Sequence, residues 1–207
     1  MKSISKPVVV VANGLFPTHP MPLSFIDHAG TVICTDGAAD KLLSHNKYAN
    51  IVIGDMDSLE IDLPEGIDII HVLQQKNSDL EKAITFCIKH KIQEITVVGA
   101  TALRDDHYLA NILLILHYYK KISISVVTDK YTIFSSQGNN SFLSFKRQIV
   151  SLFAFTKTTI TSENLKYKVD HEQLTSPSQG VSNESLGNSF SINSSEPLIV
   201  MQSHEKA

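Results

Sequence analysis

Short apolar runs alternate with helical patterns over roughly the first two thirds of the chain. Val8–Ala12 reads as a buried strand, closed by Asn13-Gly14. Thr31–Cys34 is a second strand, followed by Asp36-Gly37 and a helix near Ala38–His45. Ile51–Ile53 is a third, ending at Gly54-Asp55, and Ile69–Val72 a fourth. Ser78-x-x-Glu81 has the form of a capping box and opens a helix running to about Lys91. Ile95–Val98 is a strand ending at Gly99, Asp106–Tyr119 a long apolar helix, and Ile122–Val127 a strand ending at Thr128-Asp129. Strands alternating with helices predict a mostly parallel sheet with helices on both faces.

After about Ser135 the texture changes. Helical periodicity disappears, and Ser, Thr and Asn become frequent. Short β-branched runs at Ile149–Phe155, Thr158–Thr161, Phe190–Ile192 and Leu198–Met201 suggest antiparallel strands. The expected organisation is an α/β domain over 1–135 and an all-β sandwich or barrel over 136–207. The Ser-rich stretch Thr175–Ser195 reads as ordered loop, because the apolar strand PLIVM follows it.

Composition narrows the classes. A chain of 207 residues, 43% hydrophobic and 19% charged, has enough apolar material for a real core. A net charge of −3 offers no basic face for nucleic acid. Two cysteines outside any CxxC pair, Cys34 and Cys87, argue against a disulfide framework or a structural zinc site. The first apolar run is too short for a signal peptide, and no stretch approaches a membrane span. A cytoplasmic protein is the default expectation.

The charge that matters is negative. In an open parallel sheet, ligands bind beyond the carboxyl ends of the strands. Asp36 follows the second strand, Asp55 and Asp57 the third, Asp79 opens a helix entering from that edge, and Asp106 starts the helix after the fifth strand. Alone, each reads as a turn residue or a helix cap. Together they are expected to converge, and their mutual repulsion would be relieved by a divalent cation; hard oxygen ligands suit magnesium. Arg104, between Gly99 and Asp106, is a natural phosphate partner, the plain alternative being a surface pair with Asp105 or Asp106.

These segments carry a resemblance. Asp36-Gly37-Ala38-Ala39, Gly54-Asp55-Met56-Asp57-Ser58, Asn77-Ser78-Asp79 with Lys82, and Gly99 through Arg104-Asp105-Asp106-His107, with Asn111 one turn on, resemble in order the signature segments of thiamine pyrophosphokinases. Leu165-Lys166-Tyr167 is similar to the family's GLKY/GLKW segment, and Gly180-Val181-Ser182-Asn183-Glu184 to its G-x-S-N segment. The resemblance implies a Rossmann-like domain followed by a β-sandwich, and a homodimer with sites shared between subunits. It implies that Asp36, Asp55, Asp57 and Asp79 hold magnesium and the reacting phosphates, with Asp55, Asp57 and Asp79 as metal ligands. Arg104, Asp106 and His107, with Asn13 and Gly14, would serve ATP. Ser182 and Asn183 would contact thiamine, with Tyr167 near it.

The chemistry so implied is attack by the hydroxyl of thiamine on the β-phosphorus of ATP, releasing AMP, with Asp79 or Asp36 as proton acceptor. Two departures stand out. Ala100 and Leu103 replace the second and third glycines of the family's nucleotide loop; leucine does not easily take positive φ, which leaves the loop's path open. Asn164 replaces the glycine before the LKY segment. Two rivals remain: a haloacid-dehalogenase-like phosphatase with Asp55 as nucleophile, and a non-catalytic thiamine or nucleotide sensor on the same fold.

Overall fold

The computed structural model describes residues 3–59 and 62–206. The chain forms two compact units. The first runs up to Leu114 and resumes over Lys120–Asp129; the second comprises Ile115–Tyr119 and the chain from Lys130 onward.

The first unit holds six strands, β1 (Val8–Val11), β2 (Thr31–Thr35), β3 (Ile51–Gly54), β4 (Asp68–His71), β5 (Glu94–Val98) and β6 (Ser123–Val127). They pair in parallel in the order β6-β5-β1-β2-β3-β4. Four helices connect them, α1 (Pro20–Asp27), α2 (Asp36–Ser44), α3 (Asp79–Lys89) and α4 (Asp105–Tyr118). Every residue of β1, β2 and β3 is buried, so the central strands read as unbroken apolar runs rather than alternations. Val9, Val11, Val32, Cys34 and Val52 pack with Ala38, Ala39 and Leu42 of α2 in one cluster, while α3 also lies against β2 and β3. Both cysteines are buried and free, and burial pushes the Cys87 thiol up to about 12.

In this unit the elements read from sequence recur with small shifts, and α1 was not anticipated. Helix α1 has Pro20 at its first position and His19 as N-cap, whose Nδ1 accepts the Met21 N–H at 3.1 Å. Ser78 caps α3 as its sequence suggests, its Oγ accepting the Glu81 N–H at 3.3 Å. Asp36 is the first residue of α2 rather than a residue ahead of it.

The second unit is antiparallel. Its strands are β7 (Tyr131–Leu143), β8 (Gln148–Ala154), β9 (Thr159–Glu163), β10 (Glu172–Gln173), β11 (Asn183–Glu184) and β12 (Ser189–Lys206). The fall-off of helical signal near Ser135 lies inside β7. The two short apolar runs at 190–192 and 198–201 are one strand, contrary to the sequence reading. β12 pairs with β7 along most of its length; its first part also pairs with β9 and its second with β8. The hand-over falls at a register shift between Ser194 and Leu198, where Pro197, which lacks an N–H for the ladder, is accommodated. Val150, Leu152, Ile160, Phe190, Ile192, Leu198 and Val200 form the core of this unit. Among the described residues, no helix is long and apolar enough to cross a membrane.

Candidate active site

The order of strands reverses between β1 and β5, which makes that gap the switch point of the sheet. The loops leaving β1 and β5 are stitched together there. The N–H groups of Gly14 and Leu15 donate to the carbonyls of Gly99 and Thr101 at 2.7 and 3.0 Å. A side chain at position 14 would collide with both carbonyls, so the seam requires glycine. Lys41 Nζ, from α2, donates to the carbonyls of Asn13 and Gly14 at 3.0 and 2.7 Å. Asn111 is buried on α4, and its Nδ2 donates to the Ala100 carbonyl at 2.9 Å, fixing the loop from the other side.

Gly99, Ala102 and Leu103 all have positive φ, at +66°, +59° and +67°. The loop thus follows a left-handed path through a leucine, against that residue's preference, at a cost of about 1–2 kcal/mol. Leu103 is exposed, and packing does not hold it there. Together these segments line a cavity of about 350 Å³ whose walls include Asn13, Gly14, Thr35, Asp79, Arg104 and His107.

Beside the cavity wall, at the ends of β2 and β3, lie the acids. Carboxylate oxygens of Asp36, Asp55 and Asp57 all fall within 4.8 Å of one another. Asp36 is 1% exposed; its Oδ1 accepts the Gly37 N–H at 2.8 Å, while its Oδ2 is buried without a hydrogen-bond partner. Burial holds its carboxyl above the usual range, the Gly37 hydrogen bond opposes this, and the charges of Asp79, Asp55 and Asp57 add to it. Gly54 lets the carboxyl in: a Cβ there would sit 2.8 Å from Asp36 Cγ. Met56, between Asp55 and Asp57, is left-handed at φ +67°, a further strained non-glycine residue after Ala102 and Leu103.

Asp79 is close enough to raise Asp36, but its own carboxylate is engaged. Lys82 Nζ, one turn further along α3, lies 2.6 Å from Asp79 Oδ1 and 3.8 Å from Asp55 Oδ2. Desolvation acts to raise the Asp55 carboxyl, yet hydrogen bonding with Asp57 and the Lys82 charge hold it below the usual range. Lys82 was noted in the sequence only as part of a motif; its i, i+3 spacing from Asp79 was the available signal for this role.

Arg104, Asp106 and His107 are brought together at the start of α4. Arg104 grips Asp106 with two hydrogen bonds, at 3.1 and 2.6 Å, and Asp106 Oδ1 also accepts the His107 N–H at 2.9 Å. This lowers the Asp106 carboxyl to about 2, chiefly through the Arg104 hydrogen bonds. Both side chains are about two thirds exposed, so the pair is solvent-screened. The edge therefore gathers four acids around Lys82, with Asp106 committed to Arg104.

In the second unit, Tyr167, Ser182 and Asn183 also meet, in an unexpected way. Asn183 is buried and its amide is consumed internally: Oδ1 accepts the N–H groups of Tyr167 and Glu184 at 3.0 and 2.8 Å, and Nδ2 donates to the Tyr167 carbonyl at 2.7 Å. Ser182 is exposed at φ +60°, its N–H held by Ser151 Oγ at 3.0 Å, and Tyr167 is 63% exposed. Asn164, standing where the resemblance has glycine, takes φ +59°, as asparagine tolerates.

Comparison with known proteins identifies the family. The profile of the thiamin pyrophosphokinase catalytic domain matches residues 23–127, and that of the thiamin pyrophosphokinase substrate-binding domain residues 132–201. No curated protein gives a significant match. Among solved structures, the thiamine pyrophosphokinase from Bacillus subtilis superposes with a TM-score of 0.82 at 21% identity, over 96% of this chain and 99% of its own. The thiamin pyrophosphokinase from Candida albicans gives 0.83 at 18%, over 95% and 89%. The yeast thiamin pyrophosphokinase gives 0.78 at 16%, over 95% and 85%. At such identities these likenesses speak to fold. The two profiles, which share the chain between them in the same order as the two units, carry the assignment: the chain belongs to the thiamin pyrophosphokinase family.

Proposed function

We propose that the acidic edge of the first unit carries the pyrophosphoryl transfer of this family, from ATP to the hydroxyl of thiamine, yielding thiamine diphosphate and AMP. One observation carries the residue assignment. Asp36 Oδ2 is buried and unpartnered, and the Asp36 carboxylate has an oxygen within 4.8 Å of oxygens of Asp55 and Asp57. An ionised carboxylate is rarely left so without a cation to receive it. An all-carboxylate set of hard oxygens beside a cavity of about 350 Å³ fits magnesium, held by Asp55 and Asp57 with Asp36 as the third oxygen. When bound, magnesium would offset the charge that develops on the transferring phosphates.

The chain's own groups do the rest. The stitched loops after β1 and β5, including Asn13 and Gly14, form the floor for ATP, in a unit we read as Rossmann-like. Arg104 would exchange Asp106 for phosphate, the two being exposed and free to separate, and His107 lines the same wall. The hydroxyl oxygen forms the new bond to the β-phosphorus as the bond to the α-phosphate oxygen breaks. Its proton passes to a carboxylate of the cluster, and AMP leaves with the bonding pair.

For thiamine we assign Ser182 and Tyr167 of the second unit, which we read as a β-sandwich, as direct contacts. Asn183 sets their positions. Because these residues are exposed, we infer a homodimer in which they complete the site of a partner subunit, in the cytoplasm. Incubation with ATP, magnesium and thiamine tests the reading: thiamine diphosphate and AMP should appear in step. ADP with thiamine monophosphate would sink it. A mixed dimer of Asp55→Asn and Ser182→Ala/Tyr167→Ala chains should regain activity that neither parent has.

A further inference from the structure

Lys82 is the one group in the acidic cluster that the transfer chemistry does not use. It is 8% exposed, on α3, beside Asp79 and Asp55 and within the field of Asp36. Its Nζ is 2.6 Å from Asp79 and 3.8 Å from Asp55, so one ammonium serves an acid outside the converging trio and one within it. Burial works against its charge, but the Asp79 hydrogen bond and the charges of Asp79, Asp55 and Asp36 keep the ammonium form favoured. A lysine this buried is retained only where it is paired.

Asp55 is shared between two cationic demands. Its carboxylate belongs to the trio that would receive a divalent ion, yet it lies within the field of Lys82. A divalent ion entering on Asp55 meets that ammonium at close range and in a partly desolvated setting, where charges interact far more strongly than in water.

We propose that Lys82 is a built-in counter-ion of the cluster: its ammonium holds Asp79 and Asp55 together while no divalent cation is bound, and opposes the cation when it arrives. The inference rests on the metal reading above and assigns Lys82 a regulatory part in it, setting how tightly the site holds metal. The lysine makes the metal-free cluster tolerable and weakens metal binding, so that the ion is readily exchanged with ATP rather than locked in the protein.

The test is a comparison of the full-length wild type with Lys82→Met and Lys82→Arg, using Mn²⁺ as probe. Free Mn²⁺ is read by its paramagnetic resonance signal, and thermal midpoints are taken in chelator and in saturating Mn²⁺. Lys82→Met, which keeps the stem and loses the charge, should bind Mn²⁺ about tenfold more tightly. It should lose several degrees in chelator and recover most of that loss with Mn²⁺. Lys82→Arg should stay near wild-type affinity. Weaker Mn²⁺ binding by Lys82→Met would make Lys82 an organiser of ligands and overturn the proposal. Equal destabilisation with and without Mn²⁺ would reduce it to packing and overturn it too. If Lys82→Met does not fold, lysine-ammonium resonances of the wild type serve instead. The signal lost in Lys82→Arg must shift on adding Mg²⁺, and a signal that stays put refutes the idea. A wild type that binds no Mn²⁺ at all, even with Asp36, Asp55 and Asp57 intact, refutes the metal reading itself and this inference with it.

Discussion

The two units treat several of their buried polar groups in opposite ways. In the second, Asn183 makes three hydrogen bonds to backbone, Gln148 donates to the Ser203 carbonyl at 2.6 Å, and Ser162 Oγ receives the Val169 N–H at 2.9 Å. In the first, Thr35 Oγ1 and Asp36 Oδ2 are buried without partners, and four acids share one edge with one lysine. Unsatisfied polarity is a cost that a fold retains where a ligand will use it. The contrast teaches that the first unit leaves polar atoms unpaired at the edge where its acids gather, while Asn183, Gln148 and Ser162 of the second hold its own backbone in place.

That contrast can be broken most sharply at the acids. Asp55→Asn or Asp57→Asn should lower AMP release by about a thousandfold or more while leaving the circular dichroism and the melting curve nearly unchanged. Near-normal turnover in both would remove them from the metal site.

In the second unit the same kind of change should act on stability first. Asn183→Ala strands two N–H groups and a carbonyl, and should cost about 2–4 kcal/mol. It should also raise the KM for thiamine more than that for ATP. Asn183→Asp keeps both accepting bonds and should recover part of each loss. An Asn183→Ala enzyme with native stability and a lowered kcat alone would make Asn183 a direct contact after all.

The third test inverts the sign. Because Asp36 has its carboxyl held above the usual range, its ionisation costs the folded state. That cost is fully present above the folded value and vanishes as pH falls below the unfolded one. Asp36→Asn should therefore raise the melting point in chelator at neutral pH, with the gain disappearing toward acid pH, while turnover collapses. A less stable, still active variant would refute the view of Asp36 as an acid kept for a cation. Smallest of all, Leu103→Gly should relieve the left-handed backbone and stabilise the chain by about 0.5–1 kcal/mol in urea unfolding.

Much of the first unit was legible because parallel strands buried on both faces announce themselves as apolar runs, and because acids placed just after such runs fall on one edge. Helix α1 was not, since Pro20 and Pro22 read as breakers although the first turn of a helix tolerates them. β7 was hidden by Gln137-Gly138-Asn139-Asn140, polar residues at its middle that owe their strand to partners on β12. The inward turn of Asn183 and the ion pairs of Lys82 depend on which side chains meet across distant segments. The spacing of a motif carries no information about that, and a short polar motif looks the same whether it faces a substrate or its own backbone.

The shared strand β12 has a consequence for how the protein is made. A ribosome that has produced the first 188 residues has delivered every strand of the first unit's sheet, together with β7, β8 and β9, but not the strand that joins those three. Until residues 189–206 emerge, the apolar faces of Leu152, Ile160 and Phe134 lack Ile192, Leu198 and Val200 to cover them. During synthesis the nascent chain thus carries a nearly finished first unit and an open second one, and a stop or cut within Ser189–Lys206 leaves it a client for chaperones and proteases.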